Sequence, residues 1–405
     1  VSPVTAQDGA SRRGLTLLLG ALIAIAPLAM DIYLASMPAM TRVMQASTAQ
    51  VQATLSVYMV GWGLAQLVAG PASDRFGRRP VLLSGLVLFI LASLACSLAR
   101  TIDQLILFRF FQALGMAGAA VVPRAVVRDL YAGVQAARML SLMGVVLGIA
   151  PIVAPILGSH LHVWFGWPSS FVFVAVYGFV VCALAARALP ETLAVPDPRA
   201  LDPRRIAANF AMLARTRDFT GYALVAAFST AGLFAFLSGS AFVFVSVMQS
   251  GETGFGLLFA MVMTGNITGA YLGSRLVLRY GIDGLLRRST GLLLASSLVL
   301  ALLAWLRIDH PAAVVVPMFF YMVAFTCSMP QAAAGALGPH PEIAGASSSL
   351  LSCVQFATAA VSGLAVGLSF DGTQRPMATV IAVFAVAAFA AFRWLRPGAG
   401  AQASP

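Results

Sequence analysis

The chain has 405 residues, of which 60% are hydrophobic and 10% charged, and its mean hydropathy is +0.90. A soluble domain carries about 25% charged residues, so this composition excludes one and makes the bilayer the solvent. The net charge of +11 invites a nucleic-acid partner, but all 25 basic residues are arginine and their placement follows a membrane rule instead.

A spanning helix needs roughly 20 apolar residues. Twelve such runs lie at about 15–37, 50–71, 81–99, 103–124, 139–162, 167–188, 219–246, 254–277, 285–306, 311–334, 343–368 and 376–395. All but five of the arginines fall in loops on the side shared by both termini; Arg42, Arg100, Arg307 and Arg375 fall on the other side, and Arg109 lies within a run. By the positive-inside rule both termini are cytoplasmic. The first run is too long for a signal-peptide core and has no small-residue cleavage site after it, so it is expected to remain as span 1. The Pro- and Arg-rich stretch PETLAVPDPRALDPRR marks a solvated linker over 190–218, with a short surface helix from Arg204 to Leu213. The expectation is an all-α membrane protein: a six-helix half at 1–189, the linker, and a second, pseudo-symmetric half at 219–405.

Span 1 carries Asp31 and span 4 carries Arg109. A charge at the bilayer centre costs at least about 2.5–3.5 kcal/mol, so such residues face cavities and do work. Each lies about six residues from the same face, roughly 9 Å deep at 1.5 Å per residue, and a functional pairing is expected. Burial works against the Asp31 charge and a nearby cation supports it, which leaves its protonation open to the access state. Gln112 shares the Arg109 face. The bland alternative is an arginine reaching outward from near its helix end.

The loop after span 2, GPASDRFGRRP, holds Gly70, Asp74, Arg75, Gly77, Arg78 and Arg79. Its glycines permit close approach or positive φ; a plain solvated basic loop is the alternative. Arg75-Phe76-Gly77 recurs as Arg279-Tyr280-Gly281 after span 8, as in parallel six-helix repeats that hold substrate between them. On span 5, Gly144 and Gly148 offer a flat face, and Pro151 and Pro155 permit a kink; a packing seam would need no more. Cys96, Cys182, Cys327 and Cys353 sit singly, without metal-ligand spacing, and His160 with His162 is expected in a short outer loop as interfacial polarity. No HExxH or nucleophile–base set occurs in the spans. No enzyme, metal or organic cofactor is expected.

The loop meets in full the pattern G-x-x-x-D-R-x-G-R-[RK], and so resembles the major facilitator superfamily, where it latches the halves in the outward-facing state. LFRFFQALG is similar to that family's R-x-x-Q-G-x-G on span 4, with Ala113 replacing a glycine and Gly115 kept; the resemblance ties Arg109 to proton transfer. GVVLGIAPIVAPILGS resembles its antiporter motif through Gly144, Gly148, Pro151, Pro155 and Gly158, with Ala150 and Ala154 as variants. DIYLASMP, through Asp31, Tyr33, Leu34 and Pro38, resembles the Bcr/CflA-type drug:proton antiporters, with Ala35 where a proline is usual.

The resemblance implies a proton-coupled multidrug or antibiotic exporter of the bacterial inner membrane, of the kind that confers chloramphenicol resistance. Its partners would be a small-molecule drug, protons and lipid, without nucleic acid, and it would act as a monomer. A proton-coupled carrier of a small metabolite such as an amino acid is the alternative. Because Asp31 and Arg109 balance, neutral or weakly charged amphipathic drugs such as phenicols or bicyclomycin are expected. The expected walls are Tyr33, Tyr58, Gln112, Phe228, Phe234, Phe236 and Asn266, aromatic surface with a few polar handles.

Overall fold

The computed structural model describes residues 9–339 and 343–395. Lipid offers no partners to a bare backbone, so the chain satisfies its N–H and C=O groups within helices. In order these are α1 Gly9–Asp31, α2 Met37–Val43, α3 Thr48–Phe76, α4 Arg78–Ser97, α5 Ile102–Leu130, α6 Gly133–Phe165, α7 Pro168–Ala188, α8 Pro203–Arg215, α9 Arg217–Ala241, α10 Gly251–Trp305, α11 Pro311–Leu337, α12 Ala344–Ser369 and α13 Arg375–Leu395. Local chemistry sets several starts. Ser47 caps α3 in a reciprocal box with Gln50, Thr101 accepts from Gln104 N–H at the start of α5, and Asp202 caps α8 ahead of Pro203. The linker helix Pro203–Arg215 contains the expected Arg204–Leu213 stretch.

Eleven described helices are long and apolar enough to cross a membrane, one fewer than the apolar runs. The difference is α10. Its 55 residues would measure about 80 Å as one rod, against a hydrocarbon core of about 30 Å. Gly281, at φ 67° and ψ 179°, breaks it into two spans. Gly77, the repeat-related glycine after span 2, is likewise left-handed at φ 102°. The sequence echo between the two loops is therefore an echo of backbone shape.

Span 1 departs from the expected 15–37. α1 stops at Asp31, a tight 3₁₀ turn covers Leu34–Ser36, and α2 carries the span on to Val43. Pro38 is the physical reason: it has no N–H to return to the Leu34 carbonyl, and its ring crowds the preceding turn. Ser36 N–H bonds Tyr33 O at 2.9 Å instead. By contrast, Pro151 and Pro155 leave α6 continuous from Gly133 to Phe165. His160 and His162 lie in the last turns of that helix, not in the loop expected for them, and His160 Nδ1 is 2.8 Å from Ile156 O.

Two helix pairs join the first six spans to the last six: α3 packs on α12, and α6 on α10. On the arginine-poor face the joints are close. Gln52 Nε2 donates to Ser238 O at 2.9 Å, and a Cβ on Gly256 would stand 2.6 Å from Ser159 Oγ and 3.0 Å from Pro155 O. Toward the arginine-rich face lies a cavity of about 540 Å³, lined by α3, α5, the linker helix and α12. Arg396 and both chain ends lie outside the described residues.

Candidate functional site

Asp31 and Arg109 are both buried, at 1% and 0% exposure. They do not form the expected ion pair. Arg109 Nη1 instead donates to Ala29 O at 3.1 Å and to Gln112 Oε1 at 2.6 Å, so level contact between the two helices is made through backbone. The guanidinium lies between aromatic faces, its Cζ 4.0 Å from the Tyr58 centroid and 4.3 Å from Tyr33, with Phe171 at 5.8 Å. A desolvated cation–π contact is worth about 2 kcal/mol, which offsets part of the burial cost. Interior burial also replaces the outward-reaching alternative: Arg109 is enclosed.

The surrounding side chains hold this box in place. Gln112 Nε2 donates to Ser93 Oγ at 2.8 Å, Tyr58 Oη to Met116 Sδ at 2.9 Å, and Tyr33 Oη shares a 3.2 Å bond with Thr54 Oγ1. Three atoms remain without partners: Asp31 Oδ1, Arg109 Nε and Arg109 Nη2. Unsatisfied buried polar atoms are costly in ordinary cores. An orphan acceptor and two orphan donors around a pair of tyrosines thus form a centre with binding capacity unspent.

Of the seven expected wall residues, the structure gathers Tyr33, Tyr58 and Gln112 about Arg109 and leaves the other four elsewhere. Phe236 stacks on Phe259 at 5.5 Å and meets Phe244 edge-on, Phe234 is buried in the same core, and Phe228 packs on Phe384. Asn266 accepts from Thr326 Oγ1 at 2.6 Å. None of the seven lines the open cavity. The reason is periodicity: an apolar aromatic at helical spacing suits a helix–helix core as well as a wall. Sequence reasoning missed the aromatic contact between cavity and centre, where Trp62 of α3 stacks on Phe356 of α12 with centroids 4.4 Å apart. Two aromatics on separate spans carry no local signal of meeting.

The Gly70–Arg79 loop forms a closed network. Arg78 pairs with Asp74, and its Nε donates to Asp129 Oδ2 at 3.0 Å. Glu191 accepts from the N–H groups of Arg78 at 2.9 Å and Arg79 at 3.0 Å. Partial burial pushes the Glu191 carboxyl up, but N–H donors from Leu193, Arg78, Arg79 and Thr192 more than offset this and hold it below its usual range. At Gly77 the φ of 102° favours glycine, and a Cβ would also press on the Glu191 carboxylate, meeting Oε2 at 2.6 Å. These bonds stay among the first spans and the segment after α7; Asp129 and Glu191 were visible only as unassigned charges at span ends.

On α6, Gly144 has nothing within 4 Å of its would-be Cβ, and Gly148 meets only Ile267 Cγ1 at 4.0 Å. The flat face expected there makes no close helix contact at these two positions. Close approach falls instead at Gly158, where a Cβ would collide with Ile32 O, the carbonyl after Asp31.

The comparisons agree with this architecture. A profile described as the Major Facilitator Superfamily matches residues 19–363. The chain is 31% identical over 380 residues, 94% of its length and 95% of the relative's, to the bicyclomycin resistance protein homolog of Haemophilus influenzae. It is 29% identical over 343 residues, 84% of its length and 80% of the relative's, to the chloramphenicol resistance protein of Pseudomonas aeruginosa. In shape it is similar to an inward-facing, occupied bacterial homolog of the human lysosomal transporter Spinster, with TM-score 0.76 at 15% identity over 98% of this chain and 100% of that one. With its buried acid and arginine set among twelve spans, the chain belongs to the Major Facilitator Superfamily, in its Bcr/CflA-type group.

Proposed function

We propose that this protein is a proton-coupled antibiotic and multidrug efflux antiporter of the bacterial inner membrane, a transporter and not an enzyme. It works as a monomer of two halves, 1–189 and 219–405, joined by the 190–218 linker, with both termini and the arginine-rich face in the cytoplasm. The names of its relatives, resistance proteins for bicyclomycin and chloramphenicol, support the substrate class. The observation that carries the reading is Asp31: a carboxyl enclosed in an apolar core, beside the Arg109 box, with Oδ1 bonded to nothing.

In this orientation the cavity opens to the cytoplasm and receives drug there. Tyr33, Tyr58 and Gln112, placed around Arg109, contact it as it reaches the centre. The cycle is then that a proton from outside neutralises Asp31 and displaces drug, the halves rock, and loss of the proton to the cytoplasm readmits drug. The Gly70–Arg79 loop and the α6 seam serve the rocking step. One proton moving down about 100 mV supplies about 2.3 kcal/mol, enough for tens-fold export of a neutral solute.

Asp31→Asn tests this, because the amide keeps the shape and cannot titrate. In proteoliposomes the variant should insert and bind chloramphenicol yet show no proton-driven transport, while in the wild type an imposed potential alone should drive accumulation. Full transport by the Asn variant removes Asp31 from the mechanism.

A further inference from the structure

The cavity is charged as well as large. Arg78, Arg124, Arg128 and Arg205 line it against two acids, Asp74 and Asp197. Arg78 is engaged by Asp74 and Asp129, and Arg205 by Asp197 at 3.4 Å. Arg124 and Arg128 pair with no acid among the described residues. Arg124 Nη1 donates to Ala120 O of its own helix at 3.2 Å, and both side chains are exposed into the cavity. Four residues apart on α5, they share one face. Ser348, Ser349 and Ser352 of α12 line the same space and add hydroxyl groups to it.

A cleft with low-dielectric walls and one sign of unpaired charge concentrates ligands of the opposite sign. The arginine fork matches carboxylate and phosphate oxygens in a way that a solvated point charge does not. Loops that merely obey the positive-inside rule face the lipid headgroups; this pair faces the interior passage. Glu342, next in sequence to the cavity-lining Ile343, lies outside the described residues and enters the test below.

We propose that Arg124 and Arg128 form a specificity-determining anion site in the mouth of the cavity, selecting amphipathic solutes that carry a carboxylate or phosphate on an apolar body. This rests on the efflux reading above. A phospholipid headgroup satisfies the same chemistry, so the two sources are separated by experiment.

The test uses the full chain in nanodiscs and the matched probes 2-naphthoate and 2-naphthamide, which differ in charge and hardly in shape. In R124Q/R128Q, naphthoate affinity should fall roughly tenfold at low salt, and the difference should shrink in high salt. Naphthamide affinity should stay within about twofold, which also reports that the variant is folded. Equal naphthoate affinity in variant and wild type overturns the proposal. So does an E342Q variant that binds naphthoate far more tightly than wild type while R124Q/R128Q matches wild type, since the pair is then already neutralised. Weaker naphthoate binding in phosphatidylglycerol than in phosphatidylcholine discs, dependent on the two arginines, identifies the headgroup as an occupant of the site. Arginine-dependent binding that is blind to lipid identifies the soluble anion. Proton-driven chloramphenicol uptake in the same preparations keeps the readings apart: its absence counts against efflux, and its presence with charge-blind binding counts against the anion site.

Discussion

Trp62 stacks on Phe356 with centroids 4.4 Å apart and planes 21° from parallel, and the pair stands between two environments. One helical turn to one side, Gln66 and Ser352 line the cavity; one turn to the other, Tyr58 covers Arg109. The stack joins α3 to α12 at a level between the cavity-lining residues and the Arg109 box.

Trp62→Ala should therefore expose the centre. In a background without the four native cysteines, Tyr58→Cys should react roughly tenfold faster with an impermeant thiol reagent added from the arginine-rich face once Trp62 is truncated, because an apolar seal too small for water has lost its partner atoms. Unchanged labelling would show that the barrier lies elsewhere.

Arg109→Ala should abolish proton-driven transport by stripping Gln112 Oε1 and Ala29 O of their donor and emptying the space between Tyr33 and Tyr58. Arg109→Lys should recover only a small part, since an ammonium keeps the charge but not the planar face that lies against both rings. Normal export by the Ala variant, measured as drug tolerance beside expression level, would contradict the role of the box.

Gly158→Ala should cripple the protein and Gly144→Ala should not. A methyl at 158 runs into Ile32 O and must move the turn that follows Asp31, whereas at 144 it meets nothing within 4 Å. Alanine at 144 also lowers the cost of glycine in a helix by about 1 kcal/mol. Thermal stability and transport of both variants decide this; equal behaviour would mean that the seam yields.

Glu191→Gln should make loop stability less dependent on pH. A carboxyl held below its ordinary value of 4.5 in the folded protein contributes stability that is fully present above that value and is lost as pH falls through the lower folded value. The stability difference between wild type and Glu191→Gln should hold from neutral pH to about 5 and then disappear on further acidification. A difference that grows toward low pH would reverse the assignment.

The spans, the linker helix and the paired loop glycines were legible because each rests on a local cause: apolar length, capping residues and proline, or a left-handed turn. Asp31 and Arg109 were legible because charge in lipid is conspicuous by its cost. Their relation was not. Depth along two helices fixes level but not azimuth or rotamer, and the rings of Tyr33 and Tyr58 filled the place assigned to a carboxylate. Phe236 and Asn266 lie away from the 540 Å³ cavity for a related reason: helical periodicity says that a side chain faces inward without saying whether a neighbour or a void awaits it. The ties from Asp129 and Glu191 to the Arg78 loop join residues more than 50 and 110 positions apart, respectively, beyond any local pattern.

The break in span 1 has a mechanical meaning. The Leu34–Ser36 turn begins three positions after the acid and itself touches α9 and α10 of the other helix set. Under the proposed cycle, the protonated acid and the contact between the helix sets lie on one short segment ending at Pro38, and no long relay through the bundle is required. Variants that uncouple proton flow from drug flow should cluster at positions 32–38 rather than scatter along the spans.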